Sequence, residues 1–199
     1  MAEVLLATHN PGKVREIRRI TADHDWCWRC LDDFPGVPEP IEDADSFAEN
    51  ARKKALHYAG ATGLLTLADD SGLEVDCLGG APGVHSARYA GAGHDYLANN
   101  RRLVAAVAGI PLEKRSARFR CAMALARPGA ILFETQGTVE GVIIDEPRGH
   151  GGFGYDPHFL IPSLGRTMAE LTPDEKNERS HRGQALRAML PKIAAALGG

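Results

Sequence analysis

Val4-Leu5-Leu6-Ala7-Thr8-His9-Asn10-Pro11-Gly12-Lys13 is the stretch whose reading decides the fold. Val4 to Ala7 form an apolar run of strand length, and beyond the turn Val14, Ile17 and Ile20 keep helical spacing. Asn10 has the side chain of an N-cap and Pro11 suits the first helical position. The stretch therefore predicts a strand, a tight turn and a helix whose first N–H groups point outward, an arrangement that attracts anions.

Working outward, Trp26 to Leu31 alternate like a half-buried strand, and residues 32–45 are loop-like in their Pro, Gly, Asp and Glu content. A second helix is expected from Ser46, with Phe47, Asn50-Ala51, Lys54-Ala55 and Tyr58 as its stripe. Leu64 to Ala68 read as a buried strand that runs into a turn at Asp69-Asp70-Ser71-Gly72. A glycine-rich loop over 79–94 precedes a helix from about Asp95 to Ala108, and 117–126 with 131–139 look like an antiparallel hairpin around Arg127-Pro128-Gly129-Ala130.

After Val142-Ile143-Ile144 comes a second glycine-dense loop, Gly149 to Pro157. Thr172-Pro173-Asp174-Glu175 has capping-box form, and Ser180 can cap a last helix with a buried stripe of Leu186, Met189, Leu190, Ile193 and Leu197 and a kink at Pro191. The pattern is α/β. No repeat, linker or low-complexity tract marks a boundary, so 1–199 reads as a single domain.

Composition narrows the function classes. The chain has 199 residues, 44% hydrophobic and 25% charged, with a net charge of −3. No broad basic surface is expected, which argues against nucleic acid or an anionic membrane as partner. No stretch reaches the length of a membrane span and no basic segment precedes an apolar run at the N-terminus, so the cytoplasm is the expected location. The four cysteines are read as reduced thiols, and the Cys27-x-x-Cys30 pair, without a second pair, as structural.

Three groups could carry chemistry. A lysine one turn into a helix that follows a strand, as Lys13 does, makes a compact anion site, although a capped helix with a solvated lysine explains the residues alone. Adjacent carboxylates at a strand end, Asp69 and Asp70, repel each other and call for a cation. Magnesium fits, since it takes oxygen ligands and is usually held by one or two carboxylates plus substrate phosphates; an acidic turn in water accounts for the segment equally well.

Gly149, Gly151 and Gly154 match G-x-G-x-x-G, but Tyr155-Asp156-Pro157 follows where a dinucleotide fold needs a helix. These glycines would instead let backbone approach a ligand while Phe153 offers a face to a nucleobase; a plain turn with a core Phe is the rival reading. Lys176, His181 and Arg182 would then be donors that accept a 6-oxopurine and face adenine's amino group with another donor. No Gly-x-Ser-x-Gly elbow supports an acyl-transfer triad from His85, Ser86 and Asp76.

Six ordered motifs together resemble the inosine/xanthosine triphosphate pyrophosphatases almost end to end. They are Leu6 to Lys13, Phe47 to Ala51 with Lys53-Lys54-Ala55, Ala68 to Leu73, Gly79 to Gly83 with Ser86 to Tyr89, Gly151 to Pro157, and Ala169-Glu170-Leu171 through Lys176 to Ser180-His181-Arg182-Gly183. The resemblance implies an elongated α/β fold around a mixed central sheet flanked by helices, two lobes with a nucleotide cleft between them, and a homodimer. It implies that Thr8, His9, Asn10, Pro11, Gly12, Lys13 and Lys53 meet the triphosphate, that Glu42 and Asp70 hold Mg2+ with Asp69 in support, and that Asp70 accepts the proton of water. Ser71, Phe153, Gly154, Tyr155, Asp156, Lys176, His181 and Arg182 would form the base pocket. Asp43 and Asp45 compete with Glu42 for the metal in the same loop. The implied reaction is hydrolysis of inosine, deoxyinosine or xanthosine triphosphate to monophosphate and pyrophosphate. The alternatives are a pyrophosphatase for pyrimidine or modified nucleotides on a similar scaffold and a catalytically silent nucleotide sensor.

Overall fold

The structure is a computed structural model that describes residues 2–91, 93 and 95–198. Its central feature is a mixed seven-stranded sheet in the order β2-β1-β3-β4-β5-β6-β7, flanked by helices. β1 (Ala2–Leu6) lies between β2 (Trp26–Cys30) and β3 (Leu65–Val75) and is parallel to both, with Leu6 opposite Cys30 on one side and Leu67 on the other. Helices α1 (Pro11–Ile20) and α2 (Phe47–Thr62) supply the crossovers that parallel pairs require. β4 (Ser116–Arg127) and β5 (Ala130–Ile143) form the expected hairpin about a two-residue turn. β5, β6 (Phe159–Ile161) and β7 (Arg166–Thr167) continue antiparallel, with Ile143 opposite Phe159 and Leu160 opposite Thr167.

The chain clusters into two compact units assembled from alternating segments, which is why no linear boundary shows in the sequence. The first comprises the chain up to Asp70, Cys121–Gly137 and the chain from Arg182. Its core joins Val4, Leu6, Leu65, Leu67, Met123 and Leu125 of the sheet to Ile17 of α1 and to Ala185, Leu186, Met189 and Ile193 of α5 (His181–Leu197). Fully burying each of these aliphatic side chains stabilises the fold by roughly 1.5–3 kcal/mol. The predicted stripe of α5 is thus the face that packs, and Pro191 lies inside this helix.

The second unit comprises Ser71–Arg120 and Thr138–His181. Leu73, Val75, Ala117, Phe119, Ile143 and Phe159 of the strands pack with Leu103 and Val107 of α3 (Tyr96–Val107) and with Tyr155, Met168 and Leu171. The capping box at Thr172 starts α4 (Pro173–Arg179), with the Thr172 hydroxyl accepting from Glu175 N and the Glu175 carboxylate accepting from Thr172 N.

One element departs from the sequence reading. β3 does not end at Ala68 but runs on through Asp69, Asp70, Ser71 and Gly72 to Val75. The two aspartates are therefore mid-strand residues, and because successive side chains of a strand project to opposite faces, they do not confront each other. The mutual repulsion expected of a pair at a turn gives way to two separate sets of partners.

Candidate active site

The N-terminal turn forms as its residues dictate. Asn10 Oδ1 accepts from Gly12 N at 2.9 Å and Lys13 N at 3.3 Å, while Thr8 Oγ1 accepts from Asn10 N at 3.2 Å. Pro11 opens α1, and Lys13 sits in its first turn. His9 stays at the surface beside the carboxylates of Asp32 and Glu39.

Lys13 Nζ reaches Asp69 Oδ2 at 2.9 Å. The same carboxylate oxygen lies 3.4 Å from Arg182 Nε, and Arg182 Nη1 donates to Glu16 Oε2 at 2.5 Å. Asp69 is 1% exposed and Arg182 2%, so the start of α1, the middle of β3 and the start of α5 are tied by a buried network of two acids and two bases. Burial alone would push the Asp69 carboxyl up, but the charges of Lys13 and Arg182 outweigh it and hold the group well below the usual carboxylate range.

Asp70 belongs to a second cluster in the same unit. Asn50 Nδ2 donates to its Oδ2 at 3.1 Å, and Lys54 Nζ lies 3.9 Å from Oδ1 and 3.2 Å from Glu42 Oε1. Asn50 and Lys54 are one helical turn apart on the buried face of α2, a helix that Ser46 starts by accepting from Glu49 N. Burial raises the Asp70 pKa above its ordinary value, and the Glu42 charge adds to the rise against the pull of Lys54 and Lys13. Burial would lower Lys54, yet the charges of Asp70, Glu42 and Asp69 keep its ammonium above its ordinary pKa.

The two adjacent lysines of α2 have different surroundings. Lys53 bonds exposed Asp43 at 2.5 Å, with 48% of its own side chain accessible. Lys54, which the sequence reading passed over, is the lysine beside Asp70. Its position in the Phe47, Asn50, Ala51, Lys54, Ala55, Tyr58 stripe was the available signal, since a lysine in an apolar stripe requires a buried partner. Asp69 makes its ion pairs with Lys13 and Arg182 rather than joining the Glu42 and Asp70 cluster. Among the three acids of the 42–45 loop, Glu42 is the one that contacts Lys54, while Asp43 pairs with Lys53 and Asp45 is exposed.

The second unit holds the aromatic group. Asp156 Oδ2 accepts from Phe153 N at 2.8 Å and from Lys176 Nζ at 2.5 Å, and the Lys176 ammonium lies 4.7 Å from the Phe153 ring centroid. Gly152 has φ +72° here, and a Cβ would come within 2.0 Å of Asp156 Oδ2, so this turn admits only glycine. Gly154 O accepts from Asn100 Nδ2 at 3.0 Å, and the Tyr155 hydroxyl donates to Ser86 O at 2.7 Å. These bonds fix the loop that carries Phe153. Ser71 follows Asp70 on β3, and His181 stacks on Phe119 with ring centroids 5.0 Å apart. The Arg182 guanidinium, another expected base donor, is held in the Glu16 and Asp69 network.

Among the described residues no three His, Cys, Asp or Glu side chains form a ready-made metal cage. Magnesium does not demand one, because it is commonly bound by one or two carboxylates with substrate phosphates completing the shell. Glu42 and Asp70 offer hard oxygen donors that already share one cation, Lys54 Nζ, and this donor set fits the ion. No helix among the described residues is long and apolar enough to cross a membrane.

A model of the Ham1 family matches residues 4–192. The dITP/XTP pyrophosphatase of Geobacter sulfurreducens is 50% identical over 186 residues, 94% of either chain, and that of Bacillus subtilis is 47% identical over 98% of both. Among solved structures, a HAM1 protein from Coxiella burnetii has a TM-score of 0.88 at 41% identity, covering 98% of this chain and 100% of the other. A dITP/XTP pyrophosphatase from Mycobacterium abscessus has a TM-score of 0.76 at 42% identity, covering 96% and 99%.

Proposed function

The chain belongs to the Ham1 family, and from that premise we propose that it hydrolyses the triphosphates of deoxyinosine, inosine and xanthosine to the monophosphate and pyrophosphate, clearing non-standard purines from the nucleotide pool. The observation that carries the chemistry is the convergence of Glu42 and Asp70 on one buried ammonium, that of Lys54. Glu42 and Asp70 would hold Mg2+, which supplies polarisation of the phosphoryl oxygens and orientation of the leaving pyrophosphate.

The other roles fall to the chain's own groups. The positive N-terminal end of α1 and the ammonium of Lys13 bind phosphate oxygens. We assign to Lys54 the phosphate contact that the resemblance had given to Lys53. Asn50 engages Asp70 Oδ2, which directs the proton of the attacking water to Oδ1. Asp69 sets the position of Lys13 rather than acting on the metal directly.

For the base, Phe153 provides the stacking face, while Lys176, held by Asp156, and His181 donate to the 6-oxo group; Arg182 is held by Glu16 and Asp69 for the same task. The resemblance further supports a homodimer.

A pyrophosphate-release panel tests the reading, with Mg2+ present or chelated. Deoxyinosine, inosine and xanthosine triphosphates should each exceed ATP in kcat/KM by at least about 100-fold, the discrimination open to a site whose donors would otherwise face adenine's amino group. Equal rates for all purines, or preference for uridine or thymidine triphosphate, would refute it.

A further inference from the structure

Lys54 stands where two functions collide. It is only 8% exposed, its Nζ lies 3.2 Å from Glu42 Oε1 and 3.9 Å from Asp70 Oδ1, and these are the two oxygen donors assigned to magnesium. A magnesium ion binds oxygen at about 2.0–2.1 Å. An ion shared by both carboxylates would therefore press against the ammonium, in surroundings where burial strengthens like-charge repulsion. Glu42, Asp70 and Lys54 together carry one net negative charge, and without the lysine they would carry two. Lys54 lies on the buried face of α2, so a head group that leaves the carboxylates needs another anion close by.

We propose that Lys54 is a built-in counter-ion that competes with the divalent cation for Glu42 and Asp70, and that a triphosphate, by drawing the ammonium to its own oxygens, admits the metal. Metal and nucleotide then bind as mutually dependent ligands, each raising the other's affinity by the same factor, as linkage requires. The nucleotide-free protein resists metal loading, and free magnesium does not saturate the site ahead of substrate. The inference rests on Glu42 and Asp70 being the metal pair, and its test separates the two ideas.

The probe is Mn2+, titrated into the full-length, nucleotide-free protein and followed by electron paramagnetic resonance, with no turnover involved. Lys54→Met should bind Mn2+ at least about tenfold more tightly than the wild type, within the usual range of coupling between sites. Lys54→Arg, which keeps the charge, should show no gain. Adding Glu42→Gln to Lys54→Met should abolish the gain. Unchanged or weaker binding in Lys54→Met, with Glu42→Gln still lowering affinity, overturns the competition and leaves the metal pair standing. Binding indifferent to Glu42→Gln and to Asp70→Asn overturns the metal pair, and the competition with it. Lys54→Gln serves if the methionine variant does not fold. In the unmutated protein, dimethyl-lysine NMR gives an independent reading. The Lys54 signal should hold its position with stoichiometric Mg2+ alone and move when inorganic triphosphate is added; a full shift with Mg2+ alone overturns the proposal.

Discussion

Replacing Asp69 by asparagine removes one negative charge from a network that has almost no access to water. Asp69 and Arg182 are 1% and 2% exposed, and Asp69 Oδ2 lies 2.9 Å from Lys13 Nζ and 3.4 Å from Arg182 Nε. With the amide in place, Lys13 loses its closest ion-pair partner and Arg182 keeps Glu16. Breaking a buried ion pair by removing one partner costs about 3–5 kcal/mol, because the remaining charge is left in a poor dielectric. For a chain of this length each kcal/mol lowers the melting midpoint by about 2–4 °C, so Asp69→Asn should melt about 6–20 °C below the wild type at pH 7. Its pH dependence follows from the sign of the shift. The folded carboxyl is held below its unfolded value, so its stabilisation is complete above the unfolded pKa of about 3.9 and fades as pH falls toward the folded one. The gap between the two proteins should be flat from about pH 5 to 8 and narrow below about pH 4. Thermal unfolding by circular dichroism without nucleotide reads both, and a gap under about 3 °C at pH 7 would refute the reasoning.

The neighbouring substitution should behave in the opposite way. Asp70→Asn removes an ionised group that burial disfavours, so the melting midpoint should hold or rise while kcat for deoxyinosine triphosphate falls at least about 100-fold in a pyrophosphate assay. Lys53→Ala should leave KM within about threefold of the wild type, since its side chain pairs with Asp43 at the surface, whereas Lys54→Ala should raise it more than tenfold. Phe153→Ala should raise KM for deoxyinosine triphosphate about 5- to 150-fold, the equivalent of losing about 1–3 kcal/mol of base stacking, with little change in melting. Gly152→Ala forces a Cβ to within 2.0 Å of Asp156 Oδ2 and should match Phe153→Ala in KM while also lowering the midpoint, which a stacking loss alone would not do.

The parts legible in the sequence are those whose causes are local. The Asn10 cap, the proline after it and the Ser46 and Thr172 caps are decided within four residues, and each helix starts where its cap says. The course of β3 was not legible, because Asp69-Asp70-Ser71-Gly72 has turn composition, and its burial is made possible by cations from α1, α2 and α5. The motifs located the acids and the aromatic loop, but pairings between distant residues escaped them: Glu16 with Arg182 spans most of the chain, and nothing near either residue announces the other. Helical phase places Lys54 in the apolar stripe of α2 with Asn50, and Lys53 off it.

The pleat of β3 also sets how the protein tolerates change. An inserted or deleted residue between Leu65 and Ala68 would turn both aspartates to the opposite faces of the sheet and move each one position along the strand, out of register with Lys13 and Lys54, with composition barely altered. Length in that four-residue stretch is thus under tighter constraint than the identity of its side chains. A library randomising Leu65 and Leu67 among aliphatic residues should yield many active proteins, and one that varies the spacing ahead of Asp69 should yield almost none.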